Sequence, residues 1–270
     1  MHPIEHLRYV ARAHGVDAAA LVEESAHALG SMGFDPSALV VACRRIVERH
    51  PFTGPLWWLC ANLTTSAEPL DAVWELAGRI RSDTTGVQLA HELSDDATVV
   101  TVGAPELVAD GLIRRGDIRV IALDSQHSAT SFVRRLERHD VDYEPVDAAA
   151  AGAVARAADL VLIEALAMDR ERVVAPLGSS TVAGVAAAAN TPVWLVAGVG
   201  RRLPSDMIDA MVDRIDVATH DVDPWDLEVE VFPAAQITDV IGPLGRLPMG
   251  PAASAPECPP APELLRTSPM

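Results

Sequence analysis

Apolar residues in the first third of the chain recur at three- and four-residue spacing. Ile4, Leu7, Val10 and Ala11 share one helical face, Ala20, Leu21, Ala28 and Leu29 continue the pattern, and Leu39, Val40, Cys43, Ile46 and Val47 form a further stripe. Asp35-Pro36 supplies the cap and first-turn proline of one of these helices. A break from His50 to Pro55 precedes Leu56-Trp57-Trp58-Leu59, a helical segment whose aromatic rings are expected to pack against the next part of the chain. Strand signal is nearly absent up to this point, so residues 1–94 read as an N-terminal helical bundle.

From Ala97 the pattern changes to short β-branched runs separated by helical stretches. Thr98–Val102, Ile118–Leu123, Tyr143–Asp147, Leu160–Ile163 and Val193–Val196 read as strands. Helices are expected from about Pro105 to Arg115, from about Ala129 to Asp140, up to Ala157, and along the alanine-rich stretch after Gly178. Strands alternating with helices of ten to fifteen residues imply parallel pairing with helices on both faces. A later apolar run, Val229–Phe232, is followed by a short helix-like piece from Ala234 to Ile241. Eight prolines between Pro243 and Pro269 then mark residues 246–270 as a disordered tail. The expected class is α/β: a helical domain over 1–94, then a Rossmann-like parallel-sheet domain over 95–245.

In such sheets ligands bind outside the carboxyl ends of the strands. The groups standing there are Gly103, Asp124, Ser125, Gln126, Asp147, Glu164, Gly178, Ser179 and Ser180. Gly178-Ser179-Ser180-Thr181 lies where a helix begins, and free N–H groups with small hydroxyls suit a phosphate. The plainer reading makes Gly178 a turn residue and Ser179 or Ser180 an N-cap. Asp124, Asp147 and Asp169 likewise either hold sugar hydroxyls, act as bases, or cap the next helix.

Composition narrows the function classes. At 270 residues and 49% apolar, the chain can bury a substantial core. No apolar run approaches the roughly 20 residues that span a bilayer, and the N-terminus lacks a secretory pattern, so a cytoplasmic location is expected. The formal charge is −17 and the sequence holds no Lys, which disfavours nonspecific nucleic-acid binding and removes Schiff-base chemistry. Arg44-Arg45, Arg114-Arg115, Arg134-Arg135 and Arg201-Arg202 read as solvated pairs. Cys43, Cys60 and Cys258 have neither metal spacing nor the makings of a disulfide framework, and no metal site is expected among the histidines. A nucleophile elbow is missing, and Gly103-Ala104-Pro105 after the first strand lacks the glycines of a dinucleotide site, so no cofactor is expected.

The order of certain segments resembles the superfamily of initiation factor 2B regulatory subunits, which includes the methylthioribose-1-phosphate and ribose-1,5-bisphosphate isomerases. The carrying segments are Val141–Ala149, Ala157–Ala165, Gly178-Ser179 and Asn190–Val196, in that sequence. Glu48–Thr53, Leu123-Asp124-Ser125, Asp223–Asp226 and Phe232–Ile237 match further family segments, and the resemblance spans residues 1–245. It implies a homodimer, or association with related subunits, and a cleft for a small phosphorylated metabolite or nucleotide.

The chain departs from the isomerases at the chemistry. Thr101-Val102-Gly103-Ala104 stands where they carry a cysteine, Glu164-Ala165-Leu166 where they carry an aspartate, Gln126 where they carry a phosphate-gripping arginine, and Ala175-Pro176 where they carry an Asn-Lys pair. An aldose–ketose isomerisation needs an acid and a base across adjacent carbons. The resemblance therefore implies a noncatalytic binding or regulatory subunit, with a ligand set of Arg49, Thr53, Asp124, Ser125, Asp147, Glu164, Gly178 and Ser179. The alternative is a sugar-phosphate isomerase with relocated acid and base, Glu164 or Asp169 replacing the lost aspartate.

Overall fold

A computed structural model describes residues 17–31, 35–124, 129–220 and 222–265. The apolar stripe from Ile4 to Ala11, and Ser125 and Gln126, lie outside the described residues. The chain begins with five helices: α1 (Ala18–Gly30), α2 (Pro36–Arg49), α3 (Gly54–Thr65), α4 (Pro69–Arg81) and α5 (Thr85–Glu92). Local chemistry sets their starts. The Asp17 carboxylate accepts from the Ala19 amide and the Asp35 carboxylate from the Ser37 amide, and Pro36, Pro55 and Pro69 occupy first-turn positions where no N–H is needed. α3 is buried on all sides from Gly54 to Ala61, so it forms the axis around which the other helices pack.

The first residue of α3 shows why a glycine stands there. Gly54 donates its N–H to the Leu166 carbonyl at 3.1 Å, and a Cβ at Gly54 would collide with that same oxygen. Trp57 and Trp58 are fully buried, with Trp57 Nε1 donating to the Pro51 carbonyl and Trp58 Nε1 to the Glu257 carbonyl. Arg214 and Arg79 stack over these two rings at 4.8 and 5.0 Å.

Among the described residues, seven strands form the main sheet: β1 (Thr98–Val102), β2 (Arg119–Asp124), β3 (Asp142–Asp147), β4 (Leu160–Glu164), β7 (Val193–Val196), β9 (Asp239–Gly242) and β10 (Gly245–Pro248). Their order is β10-β9-β7-β4-β1-β2-β3, and every pair is parallel except β9 with β10. The central strands β1, β4 and β7 are apolar apart from Thr98, Thr101 and Glu164, because both faces are covered. Val100, Ile121, Val161 and Leu195 face α8 (Ala151–Ala157) and α9 (Ser179–Ala189). Their sequence neighbours Val99, Val120, Leu162 and Trp194 face α5, α6 (Glu106–Arg115) and α7 (Ala129–Glu137). The two-residue period of the strand thus sorts one apolar run into two cores.

Three expectations change. The stretch between Ile163 and Gly178, to which the sequence pattern assigns no element, carries two strands: β5 (Ala167–Met168) and β6 (Arg172–Pro176) pair antiparallel with each other, and β6 pairs with β8 (Val229–Pro233). Asp169 sits in the β5–β6 turn, buried, accepting from the Glu171 and Arg172 amides and from the Arg172 guanidinium at 2.7 Å. The helix-like piece Ala234–Ile241 is one 3-10 turn (Ala234–Gln236) followed by β9, because the edge of β7 offers a ladder that eight residues of ambiguous pattern cannot refuse.

The third concerns the proline-rich end. Residues 245–265 carry β10 and a last helical turn, α11 (Pro262–Leu265), and they bury Ala253, Cys258, Ala261 and Leu264. The last three belong to the helical core, together with Met207, Ile208 and Met211 of α10 (Ser205–Ala218). Proline costs little conformational entropy on ordering, and small apolar side chains spaced between prolines fill the groove above α2 and α3.

Candidate functional site

The chain runs from β1 outward through β2 and β3, then returns to lay β4 on the opposite side of β1. This reversal opens a crevice outside the carboxyl ends of β1 and β4, the place where open parallel sheets bind ligands. β1 ends at Val102 and the chain passes through Gly103, Ala104 and Pro105 into α6. β4 ends at Glu164.

Glu164 is the centre of the site. Its Oε2 accepts from the Leu107 and Val108 amides at 2.8 and 3.1 Å, so a strand end caps the N-terminus of α6, where Pro105 supplies no side-chain cap. Its Oε1 lies 2.8 Å from Nη1 of Arg201, which also donates to the Ala165 carbonyl. Glu164 and Arg201 are only 7% and 5% exposed, so this is a buried ion pair with most of its hydrogen-bonding capacity used. The loop carrying Arg201 is tied down on both sides. Asp83 accepts from the Val199 amide, and Glu257 accepts from the Gly200 amide at 2.7 Å and the Arg202 guanidinium at 2.5 Å. Arg201 and Arg202 are therefore internal ion-pair partners and not a solvated pair; adjacent charges in sequence say nothing about which carboxylates the fold brings to them.

Beside this pair stands Glu106, the first residue of α6. Burial pushes its carboxyl up to about 8, helped by a hydrogen bond with Asp17 and by the negative charges of Asp17 and Glu164, against a smaller opposing pull from Arg201. Glu106 Oε2 also accepts from the Ala18 amide at 3.3 Å, so it touches the start of α1. A cavity of about 160 Å³ opens here, lined by Thr53, Pro55, Ala104, Glu106, Glu164 and Arg201 among others. A second, of about 260 Å³, adjoins it across Ala18, Glu106 and Arg201 and continues to Asp17, Asp83 and Asp110.

A comparable arrangement occupies the start of α9. Gly178 takes φ +96°, a left-handed conformation that favours glycine, and Ser180 donates its amide to Glu230 Oε1 at 2.8 Å. The Gly178 and Ser179 amides lie beside the same carboxylate. The β6–β8 register sets Glu230 opposite Ala175 and delivers it there. Burial raises the Glu230 carboxyl even though these amides pull it down. Ser179 buries its hydroxyl with no hydrogen-bond partner among the described residues.

Of the residues expected from sequence, Thr53 and Glu164 line one cavity. Arg49 is exposed at the end of α2, Asp124 accepts from the Ala129 amide at the start of α7, and Asp147 caps the 3-10 turn that follows it. Arg49, Asp124, Asp147, Gly178 and Ser179 are not among the residues lining either cavity, and Ser125 lies outside the described residues. Asp17, Glu106, Arg201 and Glu230 escaped sequence reasoning. Glu106 carried a usable signal, being the first helical residue after the carboxyl end of β1, whereas Glu230 lies in a strand whose partner is some fifty residues away.

No family model matches the chain, and no curated protein matches it in sequence. Solved structures do match. The translation initiation factor eIF-2B of Pyrococcus horikoshii OT3 superposes with a TM-score of 0.75 at 18% identity, over 93% of this chain and 98% of that one. The chain has the fold of an eIF2B subunit. eIF2B beta from Chaetomium thermophilum matches at TM-score 0.68 and 14% identity, over 92% of this chain and 88% of that one. The tetrameric eIF2B-beta2-delta2 complex from C. thermophilum matches at 0.70 and 14%, over 91% and 90%. The match covers the helical part that precedes the sheet as well as the sheet itself. Among the described residues no helix is long and apolar enough to cross a membrane, and no cluster of His, Cys, Asp or Glu is arranged to hold a metal ion.

Proposed function

We propose that this protein is a noncatalytic subunit of eIF2B type that works by associating with chains of the same fold, with the crevice beside Glu106 and Arg201 in a supporting role. One observation carries this reading. The charged groups at the crevice are matched to each other or to backbone amides: Glu164 holds Arg201 and the start of α6, Glu106 holds the Ala18 amide at the start of α1, and at the end of the neighbouring β6 Glu230 holds the start of α9. A phosphorylated metabolite or nucleotide, the ligand class the resemblance brings, binds there only by displacing one of these carboxylates. Association follows the precedent of the solved complex of eIF2B beta and delta subunits.

Sedimentation of the purified 28.6 kDa chain tests the first half, with a dimer or larger species expected and a monomer at every concentration contradicting it. Thermal or urea unfolding with ribose-1,5-bisphosphate or AMP tests the second. A ligand at a hundred times its dissociation constant adds about 2.7 kcal/mol of stability. No such gain is expected, and its appearance would make the protein a metabolite sensor.

Glu106 favours a second reading, a sugar-phosphate isomerase with relocated groups. A carboxyl that keeps its proton near neutrality beside an ionised carboxylate is how an acid and base are set apart. In that reading Glu106 donates the proton and Glu164 removes one, and the reading requires Glu164 to leave its two amides and Arg201.

A further inference from the structure

The larger cavity, of about 260 Å³, is lined by more carboxylates than its arginines neutralise. Arg81, Arg135 and Arg201 stand in its wall, and each is already paired: Arg81 with Glu23, Arg135 with Asp110 and Arg201 with Glu164. Asp17, Asp83 and Glu106 stand in the same wall, and among the described residues none of the three has a cationic partner. Their oxygens accept from neutral donors instead. The Ala19 amide donates to Asp17, the Thr85 and Val199 amides and the Thr85 hydroxyl to Asp83, and the Ala18 amide to Glu106. Enclosing a carboxylate without a counter-cation is costly, and burial is the main reason that Glu106 keeps its proton up to about 8.

These walls select the occupant. Three unbalanced carboxylates, on a chain of formal charge −17, oppose an anion and attract a cation. A single metal ion does not fit, because among the described residues no three acidic or histidine side chains converge on a common point. The acids are instead separated by aliphatic wall from Ala18, Pro55, Ile80 and Leu107. Asp17 and Arg81 are exposed at the mouth, and Asp83 and Glu106 are half-buried. Separate carboxylates with apolar surface between them complement ammonium groups joined by methylenes. We propose that the larger cavity is a binding site for a linear polyamine, whose ammonium groups pair with Glu106, Asp83 and Asp17 while its methylene chain lies against Pro55 and Ile80. The site goes beyond the proposed association with chains of like fold and does not rest on it.

Isothermal titration calorimetry with spermidine tests the site, at about pH 7 and about 0.15 M salt, where exposed charges are screened beyond about 8 Å. One saturable site per chain is expected. An ammonium group seated at Glu106 favours its ionised form, so binding also releases nearly one proton per spermidine, read by repeating the titration in buffers of different ionisation enthalpy. Glu106→Gln keeps an acceptor for the Ala18 amide and cannot ionise. It is expected to weaken binding about tenfold or more and to abolish the proton release. Asp17→Asn, at the exposed mouth, is expected to weaken binding as well, and gives a second reading that does not depend on a buried substitution. Asp216→Asn, an exposed carboxylate of α10 that lines neither cavity, is expected to change nothing. Butylamine, with one charge, is expected to bind about tenfold or more weakly than spermidine. Uptake that does not saturate, affinity unchanged in both Glu106→Gln and Asp17→Asn, no proton release, or butylamine binding as tightly as spermidine overturns the inference. None of these outcomes bears on the sedimentation or sugar-phosphate tests of the proposed function.

Discussion

Arg201 cannot be separated from Glu164 without leaving a charge in the interior. Removing one partner of a buried ion pair costs about 3–5 kcal/mol, far more than the about 0–1 kcal/mol of an exposed pair such as Arg81 with Glu23. Glu164→Ala also strips the acceptor from two amides of α6. Urea denaturation is therefore expected to show a loss of about 3–5 kcal/mol for Glu164→Ala, and the double variant Glu164→Leu with Arg201→Met is expected to recover much of it. A loss below about 1 kcal/mol in the single variant would mean that the pair is solvated. At this scale the sequence was half legible. Glu164 is conspicuous as the one charged residue ending a fully apolar run. Its partner was not, because Arg201 follows a strand in a loop whose burial depends on Asp83 and Glu257, anchors from opposite ends of the chain.

Among the elements, the parallel strands and the helices between them were readable because each is long enough for its period to show. The small sheet was not. β5 has two residues, and β6 is defined by β8, more than fifty positions downstream. The proline-rich end was misread for a related reason: composition reports how much apolar surface a segment offers, and not whether a groove awaits it. Here Leu264 is 1% exposed, beside α2 and α3, and Arg44 donates to the Glu263 carbonyl. Leu264→Ala is expected to cost about 2–5 kcal/mol in the same denaturation experiment, as for any well-packed core leucine. A neutral outcome would mean that α11 does not dock in solution.

For the whole molecule, the strand order places the crevice outside the carboxyl ends of β1 and β4, and the charged residues within it are paired with each other or with backbone amides. Internal carboxylates take the seats at which parallel-sheet proteins hold anions. A formal charge of −17 adds a field that opposes anionic ligands arriving from solution. The same field sets a limit on self-association, which is expected to strengthen with salt as repulsion between copies is screened. The central claim is that the site binds its own residues and turns nothing over. It meets its most direct test in phosphorus NMR of ribose-1,5-bisphosphate and of methylthioribose-1-phosphate, each incubated with the purified 270-residue chain. The account predicts resonances that stay those of the starting sugar. Conversion to the ketose, lost in Glu106→Gln or Glu164→Gln, would contradict it.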